Sequence, residues 1–257
     1  MKKWLFLLGI SHSVFGMYMG NPVLPSVIEE GFFFCKENGF SVKAGYQRDW
    51  VFDREMKGVS KVSGRMDDFE FLSDQGVLTF NIIDRVEVYG SAGAMRISAS
   101  HRPMKTVRNV YESHDQFMWG IGVRGLFATW GKGFFGVDIA YEHAHPTMKW
   151  MTTNGVPVQP KAGSKITYNE WQVGLGAAYQ IELFFPYIAV KYSNAGGQFK
   201  HLPTGFIPNS CHFKTKNRRK FGMALGTTLS TGSRFSASVE ARVIDEQSIT
   251  LAADVKF

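Results

Sequence analysis

Apolar and polar residues alternate with a period of two along most of this chain, the mark of β-strands that turn apolar side chains to one face only. The longest run sets Trp171, Val173, Leu175, Ala177, Tyr179 and Ile181 against Gln172, Gly174, Gly176, Ala178 and Gln180. The same phase recurs from Phe117 to Phe127, Phe135 to Tyr141, Phe221 to Leu229 and Phe235 to Val243. The pattern predicts about ten strands, near residues 40–52, 75–84, 86–98, 116–129, 133–145, 165–181, 185–195, 217–230, 233–244 and 248–257. A further hairpin within 53–74 would raise the count to about twelve. Short turns at Asp84-Arg85, Gly131-Lys132, Phe184 to Pro186 and Thr231-Gly232 alternate with longer connections at 53–74, 99–115, 146–164 and 196–216, so the long ones share one side.

Alternation also suits a soluble sandwich, but three features point to a membrane. Aromatic residues are 14% of the chain and fall near strand ends, at Tyr46, Trp50, Trp119, Trp130, Trp150, Trp171 and Tyr179, as interfacial girdles require. The opposite face is small and glycine-rich, which suits a lumen with open space better than a packed core. The last strand carries an unbroken apolar set, Ile249, Leu251, Ala253, Val255 and Phe257, the kind of terminus that outer-membrane assembly machinery reads. The fold class expected is all-β: a transmembrane antiparallel up-and-down β-barrel, multi-pass in a bacterial cell outer membrane.

The start of the chain reads differently. Lys2 and Lys3 precede the apolar run Trp4 to Ile10, and small or polar residues follow, which reads as a signal peptide over residues 1–16. Residues 17–38 then form an N-terminal periplasmic or plug segment, and 39–257 the barrel. Hydrophobic residues are 44% of the chain, yet mean hydropathy is only -0.12, and no run of about 20 apolar residues exists to make a spanning helix. The formal charge of +7 suits a basic rim facing lipopolysaccharide or anionic solutes; nucleic acid is not an expected partner of an exported protein. Cys35 and Cys211 permit at most one internal disulfide, and pairing between molecules is equally open.

Several stretches resemble the chlamydial major outer membrane protein family, in that family's order. They are Gly20-Asn21-Pro22 with Pro25-Ser26, Trp50 to Arg54, Asn81 to Val86, Asn169 to Gln172, Pro186 to Ser193, Gly226-Thr227-Thr228, and Val239 to Glu246 ahead of Phe257. The resemblance implies a weakly selective porin that forms a homo-oligomer, a trimer in that family, and serves as a surface antigen in a disulfide-linked envelope. This chain is shorter than that pattern, with modest loops and only two cysteines, which detaches it from the cross-linking role.

Chemistry-bearing motifs are few. Gly120-Ile121-Gly122-Val123-Arg124-Gly125 spells a dinucleotide fingerprint but lies inside a strand pattern instead of opening a helix; its glycines read as lumen-facing positions that leave pore space. His143 and His145 share a strand face without a third ligand at metal spacing. No G-x-S-x-G is present, so no catalytic residue, metal or cofactor is expected. The lumen-phase charges, expected to be pore-lining, are Lys43, Glu87, Arg124, Asp138, Glu142, Lys191, Lys220, Glu240, Arg242, Asp254 and Lys256. Both signs occur, so they would either set a transverse field across a channel or neutralise one another and close a narrow barrel. The loop carrying Lys200, His201, Lys214, Lys216, Arg218 and Arg219 is the most basic, as an anion contact or a solvated rim. The function expected is passive diffusion of small hydrophilic solutes and ions; the alternative is a non-conducting structural or surface-interaction barrel.

Overall fold

The computed structural model of the chain describes residues 17–27, 39–59, 64–207, 210–230 and 234–257. Among these residues one short helix, α1 (Leu24–Val27), precedes fifteen strands: β1 (Phe40–Arg54), β2 (Met56–Gly58), β3 (Arg65–Ile82), β4 (Val86–Met104), β5 (Val107–Ser113), β6 (Gln116–Trp130), β7 (Gly133–Ala144), β8 (Met148–Thr153), β9 (Val156–Val158), β10 (Lys165–Tyr179), β11 (Phe184–Lys200), β12 (Phe213–Asn217), β13 (Phe221–Ser230), β14 (Phe235–Val243) and β15 (Glu246–Lys256). Ten of them close a barrel by antiparallel pairing of successive long strands, β1–β3–β4–β6–β7–β10–β11–β13–β14–β15, with β15 returning to β1 from Lys43↔Lys256 to Arg54↔Glu246. Closure leaves the ten-strand wall without an unpaired edge, the only sheet arrangement that satisfies its backbone groups in lipid. The other five strands lie beyond the end that carries the long connections, called the upper end below: β5, β8 and β9 extend from β4, and β12 joins β11 to β2.

Side chains follow the expected phase. The apolar set of β10 points outward, with Leu175 54% exposed, and the residues between are buried inside. Phe80, Ile121, Val123, Ile139, Ile188, Val190, Leu225 and Leu251 share the outer face, an apolar area far larger than a soluble monomer leaves uncovered. Trp119 and Trp171 lie toward its upper margin, and Trp130 and Tyr179 at its lower margin. Trp150 belongs instead to β8, above the barrel wall, and so is no part of a girdle.

Three further sequence expectations change at the level of the strands and turns. The added hairpin within 53–74 does not form: residues 65–74 continue β3, and β2 pairs with β12. The turn expected at Phe184 to Pro186 sits earlier, where Ile181 and Phe184 exchange backbone hydrogen bonds of 2.8 Å, while Pro186 lies within β11. Several strands also run past the apolar band into the connections, where a residue no longer has to choose between lipid and lumen. The signal peptide, Cys35 and the Thr231-Gly232 turn lie outside the described residues.

Candidate functional site: the barrel lumen

Below its apolar upper end the inner wall is largely polar. Lys43, Glu87, Arg124, Asp138, Glu142, Lys191, Glu240, Arg242 and Lys256 are buried inside the barrel, and Asp254 is half-buried there. Lys220 departs from this expectation. It stands one residue before β13, where strand alternation does not yet govern direction, and its ammonium reaches along the outside to the Tyr192 hydroxyl at 3.0 Å.

Most of these charges form ion pairs. Toward the lower end Lys43 bonds Glu87, while Arg124 lies 3.2 Å from Glu87 and 3.5 Å from Asp138, to which the Tyr89 hydroxyl donates at 2.9 Å. Higher up, Arg54 bonds Glu170 at 2.6 Å and also Glu246; Lys191 lies 3.3 Å from Asp245 and 3.6 Å from Glu246; Arg242 bonds Asp49 and lies 3.5 Å from Glu240. Pairing of this kind offsets the cost of burying ions; Glu142 and Asp254 form no such pair among the described residues, and Gln75 Nε2 lies 3.3 Å from the Glu142 carboxylate. Sequence reading missed Asp49, Arg54, Glu170, Asp245 and Glu246. Asp49 is in phase with Lys43, and Glu170 with Gln172, so both were legible. Arg54 was hidden by the register shift between Val51 and Asp53, and Asp245 and Glu246 by their place at a tight turn.

Residues 17–27 lie inside the lower half of the lumen. The Met19 and Gly20 amides each donate to the Glu240 carboxylate at 3.0 Å. The Asn21 side-chain amide donates to the Phe185 carbonyl at 2.8 Å and the Thr228 hydroxyl at 3.0 Å. The wall in turn donates to the segment's carbonyls: Arg124 to Met19 at 3.1 Å, Gln172 to Tyr18 at 3.0 Å, Lys43 to Leu24 at 2.6 Å and Asn81 to Pro25 at 2.6 Å. The inner-wall glycines, expected to leave pore space, are part of this seat. A Cβ on Gly136 would come within 2.7 Å of Pro22, and one on Gly174 would overlap the Met19 sulfur. Gly120 and Gly122 of the fingerprint-like run are filled likewise, by Ser91 and Glu142 and by the Tyr89 ring.

Little room remains between the described residues. A cavity of about 40 Å³ persists between the segment and the wall, beside Tyr18, Lys43, Glu87, Arg124 and Asp254; that is enough for a few waters but not for a solute path. The upper mouth is closed by apolar side chains, including Phe69, Met95, Ile97, Tyr111, Phe199, Phe206 and Phe213. Phe213 of β12 stacks on Phe199 at 4.2 Å and on His101 at 4.4 Å.

On the outer wall His143 and His145 meet Nε2 to Nε2 at 2.7 Å, and His143 Nδ1 contacts Asn169 Oδ1 at 2.6 Å. Burial, then the adjacent His143, holds His145 below the ordinary histidine range. Among the described residues no group of three or more metal-ligating side chains converges. Cys211 is exposed in the upper connection.

A family model described as Chlamydia major outer membrane protein matches residues 153–202, the span that holds β10, β11, Glu170 and Lys191. The major outer membrane porin of Chlamydia abortus is 22% identical over 375 aligned positions, covering 97% of this chain and 96% of the relative. The serovar D porin of Chlamydia trachomatis is 21% identical, covering 97% of each chain. A 257-residue chain spread over 375 positions means that the relatives carry long insertions. Among solved structures, an outer membrane channel from Pseudomonas putida F1 overlays on 84% of this chain and 95% of its own, at 7% identity and a TM-score of 0.43. The chain is therefore similar along nearly its whole length to the chlamydial major outer membrane porins, though shorter than they are, and it folds as a ten-stranded β-barrel of the outer membrane.

Proposed function

We propose that the protein is a porin that passes small hydrophilic solutes and ions by diffusion, and that the structure is its closed form, with residues 17–27 as the plug. The likeness to proteins named major outer membrane porin supports the first half. The observation that carries the second is how the segment is held. It is seated by hydrogen bonds and fitted to glycine notches, with no ladder pairing to the wall. Lifted out, it would leave Lys43, Arg124, Asp138 and Glu240 facing water. The lower end, with its short turns, is then periplasmic and the upper end extracellular. Insertion by the assembly machinery acting on β15, whose Ile249 and Leu251 face outward, belongs to the same proposal, as does lipopolysaccharide around the upper rim; trimer formation rests on the resemblance alone.

The apolar closure around Phe213 favours the second reading, a sealed structural barrel. Planar-bilayer recording separates the two. The refolded chain from Met17 onward is expected to open rarely, and a variant lacking residues 17–27 to conduct steadily, with ion preference altered by Arg124→Gln. A folded barrel that stays silent in both forms would overturn the porin reading.

A further inference from the structure

The outward charges of the extracellular end are divided unevenly. On the β3–β4–β5–β8 flank most basic residues, Lys105 in the β4–β5 turn apart, have acidic partners: Arg102 with Asp67 at 2.6 Å, Arg65 with Asp67 at 3.1 Å, Arg108 with Asp68 at 3.2 Å and Lys149 with Glu112 at 3.4 Å. The β10–β11–β12–β2 flank carries Lys165, Lys200, Lys214, Lys216 and Lys57, and among the described residues none of these forms an ion pair with a carboxylate. Alternation turns all five outward, since Ile166, Phe199, Phe213, Thr215 and Met56 beside them are buried inside.

Register makes the arrangement more pointed. Lys165 lies directly opposite Lys200 across β10 and β11, and Lys216 directly opposite Lys57 across β12 and β2. Like charges on opposed strand positions repel, so each pair is destabilising unless an anion sits between them. Lys214 pairs with Gln198 midway between the two. The field they enclose is uncharged: Thr167 and Gln198 are one cross-strand pair and Asn169 and Gly196 the next, the latter with no side chain to raise the surface. At about 4.8 Å between strands, the four strands spread the lysines over roughly 14 Å. Below this field lies an aromatic cluster, Trp171, Tyr192 and Phe221, with ring centres 5.5 Å and 5.2 Å apart, at the level where the apolar band begins.

We propose that this face binds one phosphorylated glycolipid of the outer leaflet, a lipopolysaccharide-type lipid. Its phosphates lie against the two lysine pairs, its sugars over Gly196, Gln198 and Thr167, and its acyl chains beside the Trp171–Tyr192–Phe221 cluster. A soluble polyanion would satisfy the lysines but make no use of the aromatic step beneath them, so the lipid is the better fit. The inference rests on the outer-membrane setting of the proposed function and not on conduction, so a barrel that never conducts leaves it standing.

Native mass spectrometry of the refolded full-length protein in detergent tests it, with diphosphorylated lipid A as the probe. One lipid per barrel is expected. Dephosphorylated lipid A and a K57Q/K165Q/K200Q/K216Q variant should each bind roughly tenfold more weakly or worse, the sum of four exposed ion pairs toward the lower end of their range. The paired-flank variant R102Q/R108Q should bind as the parent does, and heat-modifiable migration checks that every variant still forms the barrel. Unchanged binding by the folded fourfold variant would overturn the proposal. Lysine-dependent binding of dextran sulfate, with no preference for lipid A, would overturn it in favour of a soluble polyanion.

Discussion

Arg54 sits fully enclosed between Glu170 and Glu246, with Asp245 3.9 Å away. Its planar fork can serve two carboxylates at once, which a lysine ammonium does less well. Replacing it with Met would leave those carboxylates buried without their main counter-charge, a loss in the range of about 3–5 kcal/mol. The expected outcome for Arg54→Met is thus a large fall in the urea midpoint of the lipid-reconstituted barrel, partly recovered in R54M/E170Q; a shift equivalent to under about 1 kcal/mol would show that water reaches the site. At this scale sequence reading was uneven for a physical reason. Alternation identifies an inward residue only while the register is unbroken, so Lys43 and Arg242 were legible, whereas Arg54, beyond the bulge of β1, was not.

At the scale of elements, the ten long strands were legible wherever the chain crosses lipid, because there one face must be apolar at every second residue. Beyond the aromatic margin that demand lapses. The first ten residues of β3, with Asp67, Asp68, Glu70 and Asp74, read as a loop for this reason, and β5, β8, β9 and β12 gave no signal at all. Residues 17–27 have no period either; their fit lies in scattered hydrogen bonds and in glycines far along the chain. β12 shows what the unseen elements contribute, since it carries Phe213 over the upper mouth. Phe213→Ala should cost about 3–5 kcal/mol if the cluster is packed as a core and should lengthen channel openings in the variant lacking residues 17–27. Unchanged open times would mean that the upper closure does not limit passage.

For the molecule as a whole, strand number sets the ceiling on what the lumen can do. Barrel diameter grows with the number of strands, and here ten inner faces carry Tyr89, Tyr187, Arg124 and Arg242 as well as the segment. Even with residues 17–27 removed, single-channel current is expected to stay well below that of sixteen-stranded porins under the same salt and voltage. A current of equal size would mean that the wall itself rearranges.

The seat of that segment also bears on the order of folding. Its partners come from β1, β3, β6, β10, β11, β13 and β14, with sequence separations reaching 221 residues between Met19 and Glu240. The complete seat does not exist until strands from the two ends of the chain stand in one ring, and contacts so distant in sequence are slow to form. The residues that lead the barrel in the chain are therefore among the last to find their places, and their docking reports that the circle has closed.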